Sequence, residues 1–263
     1  MAPFDGNRLD LRDPGMIQKL LPAVKLFNQR YLHLRAEGFE RLPQGPALYV
    51  ANHSGGIAGP DVCCTLGSLW HARGAEAPLY ALAHDFPMRQ FPHLGAAIQR
   101  LGAIRATPQN ALEVLRQGAQ LLVYPGGDLD AYRHARRRNE VVLGDRMGFV
   151  RVAQQARVPI VPIVAQGGHD SAYIFCEGAR IASALKLRSW GRLERFPLAL
   201  ALPWGLAIGP WLPYFPLPFP IQLAALPPVP APAEDAPELI RERVRKAMQE
   251  KLDELARRAR AAS

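Results

Sequence analysis

Between residues 47 and 164 short apolar runs alternate with amphipathic stretches, and that rhythm constrains the fold more than any other feature of the chain. The runs Ala47–Ala51 (ALYVA), Leu79–Leu82, Ala119–Tyr124 and Val158–Val164 (VPIVPIV) have the length and composition of strands. Between them, residues from about Asp61 to Ala72, Met88 to Leu101 and Pro108 to Gln117 read as helices, the last closed by Gly118. Alternation of this kind predicts an α/β fold: a single domain with a largely parallel or mixed central sheet flanked by helices. Upstream, Ile17, Leu20, Leu21, Val24, Phe27 and Tyr31 recur every three or four residues. They mark an amphipathic helix within 16–34, bent or interrupted at Pro22, and Leu32 to Phe39 then alternates as a strand. At the other end, Leu239, Ile240, Val244, Met248, Leu252 and Leu255 form an apolar stripe on a basic helix from Pro237 to Ala262. The expected division is an N-terminal helical segment, 1–30, an α/β domain, 31–233, and a C-terminal amphipathic helix, 234–263.

The ALYVA run leads directly into Asn52-His53-Ser54-Gly55-Gly56, and the first acid after the histidine is Asp61. In a parallel sheet, ligands gather at the carboxyl ends of the strands, where His53 falls and where Gly126-Gly127 falls after the run ending at Tyr124. Imidazole has an unperturbed pKa near neutrality and suits general-base work. The glycines permit a turn tight enough to return Asp61 to the ring.

These residues resemble the His-Asp motif of the glycerolipid (PlsC-like) acyltransferase superfamily. The commonest form of that motif has the acid five residues after the histidine, where this chain has Ala58, so the match is to a bacterial Asn-His-Ser-Gly-Gly branch related to lysophospholipid and mono- or diacylglycerol acyltransferases. Three further blocks follow in the order the superfamily requires: Gly102-Ala103-Ile104-Arg105, then Leu121 to Arg133 (LLVYPGGDLDAYR), then Val158 to Val164. The resemblance implies His53 as the base and Asp61 as the acid that orients it, with Asp130 the rival for that second role. It also implies substrate contacts from Ser54, Gly55, Gly56, Arg105, Gly126, Gly127, Asp130 and Arg133. Guanidinium groups such as Arg105 and Arg133 suit a phosphate or headgroup. The backbone N–H groups of Gly55-Gly56 or of Gly126-Gly127 are alternative oxyanion donors. Acyl-CoA or acyl carrier protein would be the co-substrate, with no cofactor and no metal.

The charge balance fits a lipid partner. Lys and Arg number 32 against 23 Asp and Glu, a formal net charge of +9, which favours anionic partners. No nucleic-acid-binding motif is present, so an anionic membrane surface is preferred to nucleic acid. Cys63, Cys64 and Cys176 show no disulfide or metal spacing, and the N-terminus lacks a secretory apolar core. The expected location is therefore cytoplasmic, peripheral on the inner face of the cell membrane. Phe196 to Ala233 contains eleven prolines and no charged residue, which forbids a spanning helix but suits an apolar platform carrying Trp204, Trp211, Tyr214, Phe215 and Phe219. Serine-hydrolase, dinucleotide and P-loop signatures are absent. The expected activity is O-acyl transfer to a glycerolipid or lysophospholipid hydroxyl. The alternatives are an inactive lipid-binding adaptor of the same fold and an acyl thioesterase or hydrolase.

Overall fold

The structure, a computed structural model, describes residues 5–56, 59–84, 92–187, 193–209 and 215–261. Seven strands form one mixed sheet: β1 (Arg35–Glu37), β2 (Leu48–Ala51), β3 (Leu79–Ala83), β4 (Ala103–Arg105), β5 (Gln120–Val123), β6 (Ile160–Gln166) and β10 (Gln222–Ala225). Their order is β1-β10-β6-β2-β5-β3-β4. The five strands from β6 to β4 are parallel, whereas β10 runs antiparallel to β6 and carries β1 at the edge.

Both faces of this sheet are covered, which is why its central strands, β2 and most of β6, read as continuous apolar runs rather than alternating ones. Along β2, Leu48 and Val50 point into one core and Tyr49 and Ala51 into the other, all buried. On the first face lie α4 (Pro108–Arg116), α6 (Gly148–Ala156) and α8 (Pro237–Ala261). On the second lie α1 (Pro14–Leu26) and α2 (Pro60–Arg73), while the short α3 (Pro92–Arg100) leads into β4. Several helices start on an identifiable cap. Asp13 accepts from the Met16 N–H at 2.9 Å and Thr107 from the Asn110 N–H at 3.2 Å, each followed by a proline in the first turn. The stripe Ile240, Val244, Met248, Leu252 of α8 is fully buried against β6, so the C-terminal helix is part of the core; Leu239 at its start is exposed.

The expected helix over 16–34 ends as α1 at Leu26 and passes into one π-helical turn, Phe27–Tyr31. Pro22 does not interrupt it: Pro22 and Gln18, whose carbonyl loses its donor, both lie on the exposed side of the helix. The expected strand over 32–39 shortens to β1, since Gly38 turns the chain at φ 83° against Ala225. Of the helix expected over 88–101, residues up to 91 lie outside those described. Proline at position 162 does not interrupt VPIVPIV either. The Pro162 carbonyl accepts from the Leu226 N–H at 2.9 Å, and the donor it lacks would face the same side, where β10 has already ended at Ala225.

A second sheet, which sequence reading did not separate, is an antiparallel meander of β7 (Tyr173–Cys176), β8 (Leu198–Ala201) and β9 (Gly205–Ile208). Between β7 and β8 lies the short α7 (Ala179–Ala184). The platform foreseen over 196–233 thus comprises β8, β9, β10 and the loops between them; Trp211 and Tyr214 lie outside the described residues.

Candidate active site

The last residue of β2 is followed by Asn52, whose buried side chain donates to the Ala165 carbonyl at 2.9 Å and accepts from the Ala165 N–H at 2.8 Å. A side-chain amide thereby stands in for one more rung of the ladder with β6. His53 is held rigidly just beyond the sheet edge as a result.

Asp61 reaches the ring across the eight-residue span. Its Oδ2 lies 2.8 Å from His53 Nδ1 and accepts from the Ser54 N–H at 3.1 Å. The pair is almost wholly buried, His53 6% and Asp61 0% exposed. The longer spacing works because the chain folds twice through left-handed glycines, Gly55 at φ 79° and Gly56 at φ 85°, before α2 begins. Gly59 then passes so close that a Cβ there would fall onto Asp61 Oδ1 and Ser54 O. Asp61 sits in the first turn of α2, where the helix dipole favours its negative charge.

Asp130 does not touch the imidazole. It lies on α5 (Gly127–Ala131), accepts from the backbone N–H of His53 and from the Val142 N–H, and pairs with Arg133. Arg133 is fully buried, its guanidinium also donating to the His53 and Arg138 carbonyls at 3.3 Å. Burial pulls its pKa down to about 10. Arg133, expected to meet a phosphate or headgroup, is instead an internal strut, because its guanidinium is enclosed and engaged by Asp130 and two main-chain carbonyls. It braces the main chain around His53 from beneath, with no face turned to solvent.

Of the expected oxyanion donors, the Gly56 N–H is engaged by the Ala131 carbonyl at 2.9 Å and the Gly127 N–H by the Tyr124 carbonyl at 3.1 Å. Gly55 packs tightly on the Gly168 carbonyl. Arg105 stands at the end of β4, on the same carboxyl edge as His53 but three strand spacings away, about 14 Å at the usual strand separation.

Three neighbours had no strong signal in the sequence. The Tyr124 ring, at the end of β5, lies 4.7 Å from the His53 ring, and burial together with the Asp61 charge pushes its phenol well above the ordinary value. Arg146 donates to the Pro125 carbonyl at 2.9 Å and lies 3.6 Å from Asp128. His169 is buried, and neither ring nitrogen has a hydrogen-bond partner among the described residues. Burial, then the charges of Arg133, His53 and Arg138, lower its pKa well below the usual histidine range, so it is neutral. Tyr124 and His169 were findable from their places at or just beyond a strand's carboxyl end, His169 following Gly167-Gly168 as the one rival to His53; Arg146 comes from tertiary packing alone.

Tyr124 and Pro125 are also among the lining of a predominantly apolar cleft of about 250 Å³. It runs between the sheet and helices α4 and α6, lined by Leu121, Val123, Ala111, Phe149 and Val152, with Arg146 among its lining residues. Among the described residues no group of three His, Cys, Asp or Glu side chains could hold a metal, and no helix is long and apolar enough to cross a membrane.

Comparison with known proteins places this geometry in a family. The Acyltransferase family model matches residues 33–166, which contain His53, Asp61, Asp130 and the whole carboxyl edge of the parallel strands. A mouse protein named as a DGAT1/2-independent enzyme synthesizing storage lipids is 27% identical over 153 residues, 58% of this chain and 43% of that protein. An uncharacterised protein of Mycobacterium tuberculosis is 27% identical over 196 residues, 72% of this chain and 54% of that one. The chain thus spans about half the length of these relatives. The crystal structure of the 1-acyl-sn-glycerophosphate acyltransferase PlsC from Thermotoga maritima superposes with a TM-score of 0.56 at 18% identity, covering 93% of this chain and 83% of that one, and shares the fold. With the matched region spanning just over half its length and enclosing the His53–Asp61 pair, this chain belongs to the Acyltransferase family.

Proposed function

We propose that the protein is an O-acyltransferase that moves a fatty acyl group from the thioester of acyl-CoA or acyl carrier protein to a hydroxyl of a glycerolipid or lysophospholipid. The observation that carries this reading is the buried 2.8 Å contact between His53 Nδ1 and Asp61 at the carboxyl edge of the sheet. With the Nδ1 proton donated to Asp61, Nε2 is left unprotonated for the acceptor. It takes the hydroxyl proton as the oxygen attacks the thioester carbonyl. The C–S bond then breaks, and the departing thiolate takes the proton from the imidazolium, which Asp61 stabilises meanwhile. The cleft beside Tyr124 would receive the acyl chain, and Arg146 at that cleft and Arg105 along the edge suit the phosphates of donor or acceptor. Asp61 answers the absence of an acid at position 58: the later residue makes the contact that the family's motif requires, which favours an active enzyme over an idle adaptor.

Thiol release from an acyl-CoA in the presence of mixed lipid alcohols tests the reading. His53→Ala should abolish acceptor-dependent release, and Asp61→Asn should lower kcat by about 10²–10⁴-fold. Retained turnover in His53→Ala would remove His53 as the base. Release that is independent of any acceptor would make the protein a thioesterase.

A further inference from the structure

The meander β7–β8–β9 is built inside out for a sheet facing water. Its inward positions, Ile174, Ala199, Ala201 and Ala207, are mostly small and pack on Tyr132 and Ala172. The alternate, outward positions are large and apolar: Tyr173, Phe175, Leu200, Leu202, Leu206 and Ile208, each 39–53% exposed. Register brings them into cross-strand pairs, Tyr173 with Leu200, Leu200 with Leu206 and Leu198 with Ile208, so they form one surface. An antiparallel sheet with one solvated face normally alternates apolar with polar residues. Here the period of two survives but separates small from large instead. Nor does the surface stop at the sheet. Phe215 bridges to Leu202, and its ring packs at 6.0 Å on Phe27 and 5.2 Å on Tyr31, so the patch runs toward the end of α1, where Leu26 is exposed. Contiguous apolar area of this extent marks an interaction face.

Its flanks carry positive charge. Beyond β7 lies the 3₁₀ turn Ala135–Arg137, packed against that strand, with Arg136 exposed and Arg137 also exposed but paired with Glu140 at 2.8 Å. On the far side, Lys25 and Arg30 are exposed beside Leu26 and Tyr31. Large apolar side chains bordered by cations on two sides complement an anionic bilayer, in which acyl chains lie beneath a negative headgroup layer. The same sheet is joined to the catalytic loop: Gly168, just before β7, packs on Ser54 and Gly55. We propose that the outer face of β7–β8–β9, continued by Phe215 toward Leu26, is the surface by which this protein docks on an anionic lipid bilayer, presenting the His53 edge to lipid substrates. The choice of occupant rests on the acyltransferase reading above, but the test separates the two.

The full chain should float with vesicles of phosphatidylcholine and phosphatidylglycerol. High salt should weaken flotation without abolishing it, because the apolar part is not screened. Leu200→Ser with Leu206→Ser should lose flotation by at least tenfold while keeping wild-type thiol release from acyl-CoA with a water-soluble short-chain lysophospholipid. His53→Ala should float as the wild type does, and a wild type that floats but releases no thiol counts against the acyltransferase reading and not against docking. A measurement needing no sheet variant is quenching of tryptophan fluorescence by brominated lipid, of which Trp204→Phe, in the exposed turn between β8 and β9, should remove a measurable part. Flotation unchanged in the Leu200/Leu206 variant, or quenching unchanged in Trp204→Phe, overturns the proposal. So does a wild-type dimer in lipid-free buffer that the Leu200/Leu206 variant converts to monomer, because the face would then be covered by a second copy.

Discussion

At the scale of single residues the site is decided by what each side chain reaches. Asp61 and Asp130 are both buried acids bonded to His53, yet one holds the imidazole and the other the backbone. Gly59 makes the difference possible. A side chain there would press on Asp61 Oδ1 and on the Ser54 and Gly56 carbonyls, forcing the Asp61–ring contact apart while leaving both side chains in place. Gly59→Ala should therefore reproduce most of the kcat loss of Asp61→Asn, measured by acceptor-dependent thiol release, with KM for the acyl donor little changed. Wild-type kcat in that variant would show that the Asp61 contact is dispensable. Arg133 belongs to the same lesson. Its sequence surroundings, a run of arginines, look like a solvated loop, and only its position under the catalytic loop reveals a buried ion pair with Asp130.

At the scale of elements, the two helices α4 and α6 lie on the same face of the sheet and leave the cleft between them and β5. Val152 on α6 lines it and is itself 6% exposed, so a larger side chain there would grow into the cleft. Val152→Phe should shift the preferred acyl donor to shorter chains, seen as a rise in kcat/KM for short over long acyl-CoA of about tenfold, with overpacking costing about 1–3 kcal/mol of stability. An unchanged chain-length profile would place the acyl chain elsewhere. The alternation of elements was legible in the sequence, because period and turn chemistry are local. Element ends were less so: β1 and α1 stop where Gly38 and the π-helical turn meet tertiary neighbours.

For the whole molecule, the buried neutral His169 couples the site to stability. Its folded-state pKa is depressed, while in the unfolded chain it returns to about 6.5. The unfolded state therefore takes up a proton that the folded state refuses. The sign follows: this contribution is fully present above about pH 6.5 and is lost as pH falls below it, by up to about 1.4 kcal/mol per pH unit. His169→Gln should flatten that part of the curve, measured as denaturation midpoints between pH 7.5 and 5. An identical slope in wild type and variant would mean that His169 is protonated in the folded protein.

What the sequence determined by itself is what periodicity and local chemistry carry: an α/β alternation, strands ending at His53 and at the Pro-Gly-Gly turn, and a basic chain with one long uncharged segment. Those signals lie within a few residues of one another, so they survive being read in a line. The tertiary structure decided what depends on residues distant in sequence. It chose Asp61 over Asp130 for the imidazole, turned Arg133 inward, brought Tyr124 and His169 beside His53, and let Pro162 sit inside a strand because β10 had already ended beside it. It also decided which side of the β7–β8–β9 meander faces outward. Alternating Ala and Leu are both apolar, and only packing against Tyr132 and Ala172 tells the small inner positions from the large outer ones.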